Sequence, residues 1–428
     1  MTDPGPDEVA TDDRPDQPEP PPLLTLRDGL PPVVDTPAGL REVCKAIASG
    51  TGPVAIDAER ASGYRYSTRA YLVQLRREGA STYLVDPVAF DSLDPLQEVL
   101  DGTEWILHAA TQDLPCLTEI GLRPTRLFDT ELAGRLLGYP RVGLATLVES
   151  ILGRRLAKEH SAVDWSTRPL PAPWLEYAAL DVEPLVELRD ALEQQLEEAG
   201  KAEWARQEFD HVRGFEPTPR VEAWRRTSGM HKVRGRRALA AIRSLWEARD
   251  RVAEQRDVTP GRILPDSAIV AAALALPTDR ASLLSTKGFH GRGAERYAAT
   301  WVAALREARE LPEKDLPTRS PRGDGPPLPR AWAERDPVAA MRLTLARERI
   351  AALADELVVP AENLLTPDYL RRTLWTPPRT RDPEALDAAV RTQLAGYGAR
   401  PWQVDLTAPV LTAAVLEADE KAPAEPEA

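Results

Sequence analysis

Segments with β-strand character are confined to the first third of this 428-residue sequence. Short apolar, partly alternating runs bounded by Ser and Gly predict strands at 53–59, 71–77, 82–87 and 105–109. Helical patterns follow at 112–120, 129–138, 143–152 and 172–199. Strands first and helices afterwards predict a mixed α/β domain, which we place at 23–210.

The rest of the chain is predicted to be all-helical. Helical patterns run over 232–256, 266–275, 279–285 and 291–309, and again over 336–358, 366–374, 383–396 and 408–417. Between these blocks, residues 311–330 are dense in Pro and Gly, which predicts an extended linker. We therefore expect two helical domains, at 225–310 and 331–412.

The two helical blocks share a sequence pattern. Each has a long helix rich in Ala, Arg and Leu, followed by a Pro-x-x-x-Leu step, at 260–264 and 360–364. A Pro-Asp pair follows each step, at 265–266 and 367–368, and a glycine-aromatic pair comes later in each block. This pattern predicts a tandem duplication of one small helical module.

The formal net charge of −13 is distributed unevenly. Residues 1–22 and 413–428 are acidic, rich in Pro and poor in large apolar residues, so we expect disordered tails. Residues 220–256, by contrast, hold eleven Arg and Lys against four acids. Charge alone leaves two interpretations of this basic stripe about equally open: a surface for a polyanion, or a solvated helix face.

Several protein classes are excluded by composition. The sequence has no apolar run long enough for a membrane span, and its first thirty residues lack the charge and apolar pattern of a secretory signal. With two cysteines, Cys44 and Cys116, a disulfide framework is not expected. A reducing, cytoplasmic location fits these features.

Four acids and a tyrosine form the candidate functional site. Asp57 and Glu59 lie two apart on a predicted strand, so both face the same side. Asp113 follows a later strand, and Tyr177 and Asp181 lie four apart on one helix face. Taken singly, each has an ordinary explanation: an exposed acidic pair, a helix cap, a surface tyrosine. Together, oxygen-only ligands favour Mg²⁺ or Mn²⁺, and two such ions suit an in-line phosphoryl displacement.

The chain resembles ribonuclease D, in the tyrosine subclass of the DEDD superfamily of 3′→5′ exonucleases. The family's three motifs correspond to IDAE at 56–59, HAATQDL at 108–114 and YAALD at 177–181. Ala58 stands where the family usually has Thr. The resemblance implies a ribonuclease H-like mixed-sheet exonuclease domain and two bound divalent cations, Mg²⁺ or Mn²⁺. It implies metal ligands at Asp57, Glu59, Asp113 and Asp181, with Tyr177 orienting the attacking water.

Residues 157–170 also resemble the family's segment before the third motif. Lys158 and Arg168 are candidate phosphate contacts. Trp165 is a candidate for packing a base, although anchoring the loop in the core is the favoured interpretation. His108 is expected to be structural.

The helical blocks resemble the helicase-and-RNase-D C-terminal (HRDC) domain, of which ribonuclease D proteins carry two. In this interpretation the basic stripe binds RNA through Arg225, Arg226, Lys232, Arg234, Arg236 and Arg237. Phe289, in the loop 287–293, either stacks on a base or is buried in a tight turn, and burial is slightly favoured.

The expected activity is therefore metal-dependent 3′→5′ exoribonuclease activity on structured RNA such as tRNA precursors, releasing nucleoside 5′-monophosphates. The expected partner is the single-stranded 3′ end of RNA, with no membrane and no nucleotide cofactor. Two alternatives stay open: a 3′→5′ DNA exonuclease of the repair type, and a non-catalytic nucleic-acid-binding adaptor.

Overall fold

The structure is a computed structural model that describes residues 20–157, 162–218, 221–318 and 325–421. The predicted phosphate contact Lys158 lies outside the described residues, as do positions 1–19 and 422–428 of the two predicted tails. No helix in the described ranges is both long enough and apolar enough to cross a membrane.

One mixed sheet forms the first domain. The described strands are β1 (Val33–Val34), β2 (Thr51–Arg60), β3 (Ala70–Glu78), β4 (Tyr83–Val85), β5 (Glu104–Leu107) and β6 (Arg126–Asp129), in the order β1-β4-β3-β2-β5-β6. Strands β2, β3 and β4 pair antiparallel, whereas β2, β5 and β6 pair parallel. The sheet confirms the mixed α/β prediction. The edge strands β1 and β6 were not predicted: β1 is only two residues long, and β6 ends at Asp129, where the predicted helical pattern begins.

Helices cover both faces of this sheet. They are α1 (Pro37–Ser49), α2 (Asp94–Leu100), α3 (Leu114–Glu119), α4 (Thr130–Leu136), α5 (Leu144–Leu152), α6 (Ala172–Val182), α7 (Leu185–Glu198) and α8 (Ala202–Arg213). The sequence predicted one helix over 172–199, but α6 ends at Val182 and α7 begins at Leu185. Pro184 lies between them and lacks the N–H that a continuous helix would need. Helices α1, α2 and α8 were not predicted.

Two all-helical modules follow the sheet domain. The first contains α9 (Arg236–Arg256), α10 (Pro260–Ile263), α11 (Asp266–Ala275), α12 (Arg280–Leu284), α13 (Gly291–Arg296) and α14 (Ala298–Glu310). The second contains α15 (Trp332–Arg335), α16 (Pro337–Leu357), α17 (Ala361–Leu364), α18 (Pro367–Trp375), α19 (Pro383–Tyr397) and α20 (Pro401–Lys421).

The two modules have the same spacing of elements. Helices α9 and α16 are each 21 residues long, and their first residues, 236 and 337, are 101 positions apart. The residues that end these helices, Asp257 and Val358, both adopt left-handed backbone conformations and are also 101 apart. Helices α10 and α17 keep this offset, and so do the starts of α11 and α18. This constant offset supports the predicted duplication.

The second module shares a hydrophobic core with the sheet domain. Trp204 of α8 stacks on Trp402 of α20, with ring centroids 4.8 Å apart. Glu208 of α8 is buried and accepts hydrogen bonds from Arg400 Nε (2.6 Å) and Trp402 Nε1 (2.8 Å). The first module, by contrast, packs around a core of its own.

The predicted disordered tail at 413–428 is wrong for residues 413–421. Helix α20 continues to Lys421, and Val415 and Ala418 are buried on its inner face. Asp419 pairs with Arg342 of α16 at 2.6 Å. Glu417 likewise pairs with Arg349 of α16, so two of the acids that suggested a solvated tail form ion pairs between helices.

A carboxylate cleft as candidate active site

Asp57 and Glu59 lie on β2 where the strand passes beyond its partner β5. β5 pairs with β2 at Val54 and Ala55, so the acids that follow face a cleft at the end of β5. Ala58 between them turns to the other side of the sheet and packs in the core. The substitution of the family's usual Thr therefore lies away from the acidic side chains.

Helix α6 brings Tyr177 and Asp181 to the same cleft. The helix packs across β2 and β3. Tyr177 and Asp181 lie one turn apart on the helix face that points at the two acids of β2. Carboxylate oxygens of Asp57, Glu59 and Asp181 all lie within 4.8 Å of one another. The Tyr177 hydroxyl donates a hydrogen bond to Asp181.

Asp113 reaches the cleft through a tight turn after β5. Ala109 in this turn has a φ of 58°, which is uncommon for a residue with a side chain. The turn is held by Asp129, which ends β6 and accepts hydrogen bonds from Ala109 N (3.1 Å) and Ala110 N (2.8 Å). Asp129 also caps α4 by accepting from Leu132 N.

Sequence reasoning did not single out Asp129. An aspartate directly before a predicted helix indicates a cap, which it is, but its bonds to a turn twenty residues earlier have no local signal. Burial raises the pKa of Asp129 to about 6, against the lowering effect of its backbone hydrogen bonds. His108, as predicted, has a structural contact: its Nδ1 lies 2.9 Å from Thr130 Oγ1, and burial lowers its pKa to about 4.

Burial and mutual repulsion disfavour the charged forms of these acids. The pKa values of Glu59, Asp113 and Asp181 are well above the usual range, first because of burial and then because of the neighbouring carboxylates. Arg60 partly offsets this effect, with its guanidinium 3.4 Å from an Asp113 oxygen. Burial and the nearby Asp181 likewise raise the pKa of Tyr177.

The donor set fits hard divalent cations. The cleft, about 250 Å³ in volume, presents four carboxylates from β2, the turn after β5 and α6, and His108, which also lines it, contacts Thr130. Within the described part of the chain, the possible ligands that lie within 4.8 Å of one another are Asp57, Glu59 and Asp181, with no Cys or His among them. Oxygen ligands of this kind suit Mg²⁺ and Mn²⁺. Buried carboxylates this close together repel one another unless cations lie between them.

Two of the predicted nucleic-acid contacts before the third motif are wrong. Trp165 is fully buried and packs edge-on against Trp174, so its ring is not accessible to a base. Arg168 donates to both oxygens of Asp86 and to three backbone carbonyls, which uses all its N–H donors. Both residues therefore fix this segment to the sheet, as the core-anchor interpretation of Trp165 held.

The basic stripe separates into structural and exposed members. Arg236 and Arg237 donate to backbone carbonyls at the end of the first module, and Arg225 lies over the Trp224 ring and pairs with Glu222. The guanidiniums of Arg225 and Arg237 thereby hold the module together, contrary to their prediction as leading RNA contacts. The exposed members of the predicted set are Arg226, Lys232, Arg234 and Arg236.

Phe289 is fully buried in the core of the first module. Gly288, which precedes it, has a φ of 93° and lies close to Ala268, so a tight turn directs the phenylalanine inwards. The prediction that Phe289 stacks on a base is therefore wrong, and the alternative of a buried turn residue is the one observed.

Comparisons with protein families agree with this architecture. Residues 31–197 match the 3′–5′ exonuclease family, residues 238–305 match the HRDC domain, and residues 325–415 match the 3′ to 5′ exonuclease C-terminal domain.

Individual relatives extend the similarity along the chain. Ribonuclease D of Granulibacter bethesdensis is 34% identical over 62% of this chain and 68% of the relative. Ribonuclease D of Acidiphilium cryptum is 30% identical over 78% of this chain and 85% of the relative.

Two solved structures resemble the fold. A Bifidobacterium adolescentis protein superposes with a TM-score of 0.83 at 38% identity, over 92% of this chain and 99% of that one. Escherichia coli RNase D, described as an exoribonuclease involved in structured RNA processing, has a TM-score of 0.63 at 24% identity, over 86% and 100% of the chains, and supports the fold alone. From the three domain matches and the extent of these relatives, the chain belongs to the ribonuclease D family of 3′–5′ exonucleases.

Proposed function

We propose that this chain trims the 3′ ends of structured RNA, such as tRNA precursors, in the cytoplasm and releases nucleoside 5′-monophosphates. The observation that carries the proposal is the convergence of Asp57, Glu59, Asp113, Tyr177 and Asp181 on one cleft from three separate elements. Membership of the ribonuclease D family supports RNA as the substrate.

The four carboxylates are proposed to hold two divalent cations, Mg²⁺ or Mn²⁺. When bound, such cations would stabilise the charge that develops on the phosphate and acidify the attacking water. Tyr177 has a different task. A phenol, with an ordinary pKa near 10, is a poor base at neutral pH, so its hydroxyl orients the water while remaining protonated. Its hydrogen bond to Asp181 fixes the direction in which that hydroxyl points.

The exposed basic residues of the first module are proposed to hold the body of the RNA. Arg226, Lys232 and Arg234 extend into solvent near the start of α9. Contacts of lysine and arginine with phosphate are independent of sequence and weaken as salt rises. Such a surface suits an enzyme that acts on the ends of different RNAs.

A processing assay tests the proposal. A 3′-extended tRNA precursor labelled at its 5′ end is incubated with Mg²⁺, Mn²⁺ or EDTA, and products are resolved by length and by chromatography of the released nucleotides. We expect stepwise shortening from the 3′ end, release of 5′-monophosphates and complete inhibition by EDTA.

Two substitutions of aspartate by asparagine test the site: Asp57→Asn within the cleft, and Asp190→Asn outside it as the control. Asp57→Asn removes one of the converging charges and should abolish shortening, while RNA binding persists. Asp190 is 61% exposed on α7, so its replacement should leave the rate unchanged. Persistent shortening by Asp57→Asn would exclude the proposed site. Faster degradation of DNA than of RNA with the same sequence would favour the repair alternative, and binding without nucleotide release would favour an adaptor.

A further inference from the structure

A second cavity lies beside the carboxylate cleft. This rim pocket has a volume of about 310 Å³, and its lining includes Glu59, Arg60, Gly63, Tyr64 and Ala162. Glu59 and Arg60 also line the carboxylate cleft, so the two cavities adjoin along the end of β2. Anything that fills the cleft therefore has the rim pocket as its immediate neighbour.

The aromatic ring that lines the rim pocket is in contact with a cation. Tyr64 is half-buried, and the guanidinium of Arg262, from α10 of the first module, lies over its ring at 4.2 Å from the centroid. The Tyr64 hydroxyl lies 3.4 Å from the carbonyl oxygen of Ala162, to which it donates. Aromatic rings that stack on bases, supported by arginine, are a common device for holding single-stranded nucleic acid.

The first module also fixes the loop that carries Tyr64. Asp257, at the end of α9, accepts hydrogen bonds from Tyr66 N (3.1 Å) and Ser67 N (2.8 Å). The backbone N–H of Thr259 donates to the carbonyl oxygen of Tyr64 at 3.0 Å. The loop is thus ordered before any ligand arrives, which lowers the entropic cost of binding at this position.

We propose that the rim pocket binds the base of a single-stranded RNA nucleotide next to the scissile phosphate, with Tyr64 stacking on the base and Arg262 supporting the ring. Arg60 lines both cavities, and its guanidinium, 3.4 Å from an Asp113 oxygen, places a positive charge beside the phosphate between them. The first helical module is then part of the binding site for the reacting end of the RNA. This inference deepens the proposed exoribonuclease function and rests on it.

Binding measured without metal tests the rim pocket separately from catalysis. A 5′-fluorescein-labelled ten-nucleotide single-stranded RNA is titrated with the full chain in EDTA, and Kd is read from fluorescence anisotropy. Tyr64→Ala should raise Kd about 10-fold, as expected for the loss of one stacked base, whereas Tyr64→Phe should retain the wild-type value. Arg262→Ala should also raise Kd.

Two further variants test whether the change in Kd is specific to the rim pocket. A Cβ atom at Gly63 would meet no atom within 4 Å, and Gly63 does not adopt a positive φ, so the backbone accepts a larger residue there. Gly63→Leu is therefore expected to fold and to obstruct the pocket, raising Kd as Tyr64→Ala does. Arg280→Ala removes the same charge from an exposed position on the same module and should leave Kd unchanged.

The outcomes separate the rim pocket from the proposed activity. With Mg²⁺ or Mn²⁺ present, KM for the same RNA should rise in parallel with Kd for Tyr64→Ala and Gly63→Leu. The proposed role of the rim pocket would be refuted if both variants kept the wild-type Kd and KM, or if Arg280→Ala raised Kd and KM by the same factor. If the wild-type chain bound RNA through Tyr64 but released no nucleotide, the proposed activity would be refuted, whereas the proposal that the rim pocket binds RNA would be retained.

Discussion

Replacing Asp129 by Ala tests how the fold positions Asp113. Asp129 makes three hydrogen bonds with backbone N–H groups: one caps α4, and two hold the turn of Ala109 and Ala110 that leads to Asp113. Asp336 is a suitable control, because it caps α16 in the same way through Ala339 N at 2.8 Å but makes no such turn contacts among the described residues.

The structure gives the expected size of the effect. Loss of an N-cap aspartate costs about 1 kcal/mol. Each further buried N–H left without an acceptor costs about 1–3 kcal/mol, so two of them bring the total for Asp129→Ala to at least about 3 kcal/mol. For a domain of this size, that corresponds to a decrease in Tm of about 6–12 °C. Asp336→Ala should cost about 1 kcal/mol.

Activity distinguishes positioning from stability alone. Without its two bonds to Asp129, the turn is free to relax from its left-handed conformation at Ala109 and to move Asp113 relative to the other acids. We expect the rate of RNA shortening to fall about 10–100-fold in Asp129→Ala, and the Mg²⁺ concentration for half-maximal activity to rise, whereas Asp336→Ala keeps both at wild-type values.

Calorimetry and metal titrations of the shortening assay, carried out well below the transition temperature, measure these effects. The reasoning fails if Asp129→Ala is destabilised no more than Asp336→Ala, or if it retains the wild-type rate and metal dependence. In either case the turn before Asp113 would hold its shape without the buried carboxylate.

Two further predictions concern the attachment and stability of the helical modules. Glu208→Ala should lower the free energy of unfolding in urea by about 3–5 kcal/mol, because Arg400 loses its buried partner. Glu203 is exposed on the same helix, so Glu203→Ala should have little effect. Similar unfolding curves for the two variants would contradict this prediction. Burial acts to raise the pKa of Asp266, but hydrogen bonds from a backbone N–H and from Arg249 hold it below its usual value. Its stabilising contribution should be present at neutral pH and lost below about pH 4, so the stability difference between wild type and Asp266→Asn should shrink on acidification, and a constant difference would argue against it.

The predictions that held are those carried by local pattern. Apolar alternation was sufficient for β2 and β3, and most helices of the two modules fall close to their predicted ranges, with α11 matching at both ends. The exceptions are α20, twice as long as predicted, and the predicted helix at 291–309, which is divided into α13 and α14. A helix or strand of ordinary length repeats its pattern often enough to be recognised. The edge strand β1 has only two residues, β6 leads directly into a helical pattern, and the pairing of both depends on neighbours far away in the chain.

Side-chain roles were harder to predict than elements. Arg168 and Arg226 carry the same charge in the sequence, yet one is fully committed to Asp86 and backbone carbonyls and the other is exposed. Trp165 and Phe289 each had a base-stacking and a buried interpretation, with burial favoured more for Trp165 than for Phe289, until their burial was known. An arginine or aromatic residue suits a nucleic-acid surface and a structural anchor alike, and only the surrounding atoms distinguish the two.

The sequence by itself determined the division into a mixed α/β domain and helical modules, the type of most elements, and which acids and tyrosine were candidates for one site. These follow from periodicity and from motifs within a few residues. Only the tertiary structure decided that Asp129 holds the turn before Asp113, that α20 replaces part of a predicted tail, and that the first module reaches Tyr64 at the rim pocket. Such contacts join residues twenty to two hundred positions apart. Their free energy depends on burial and on distances between atoms, which no local pattern encodes.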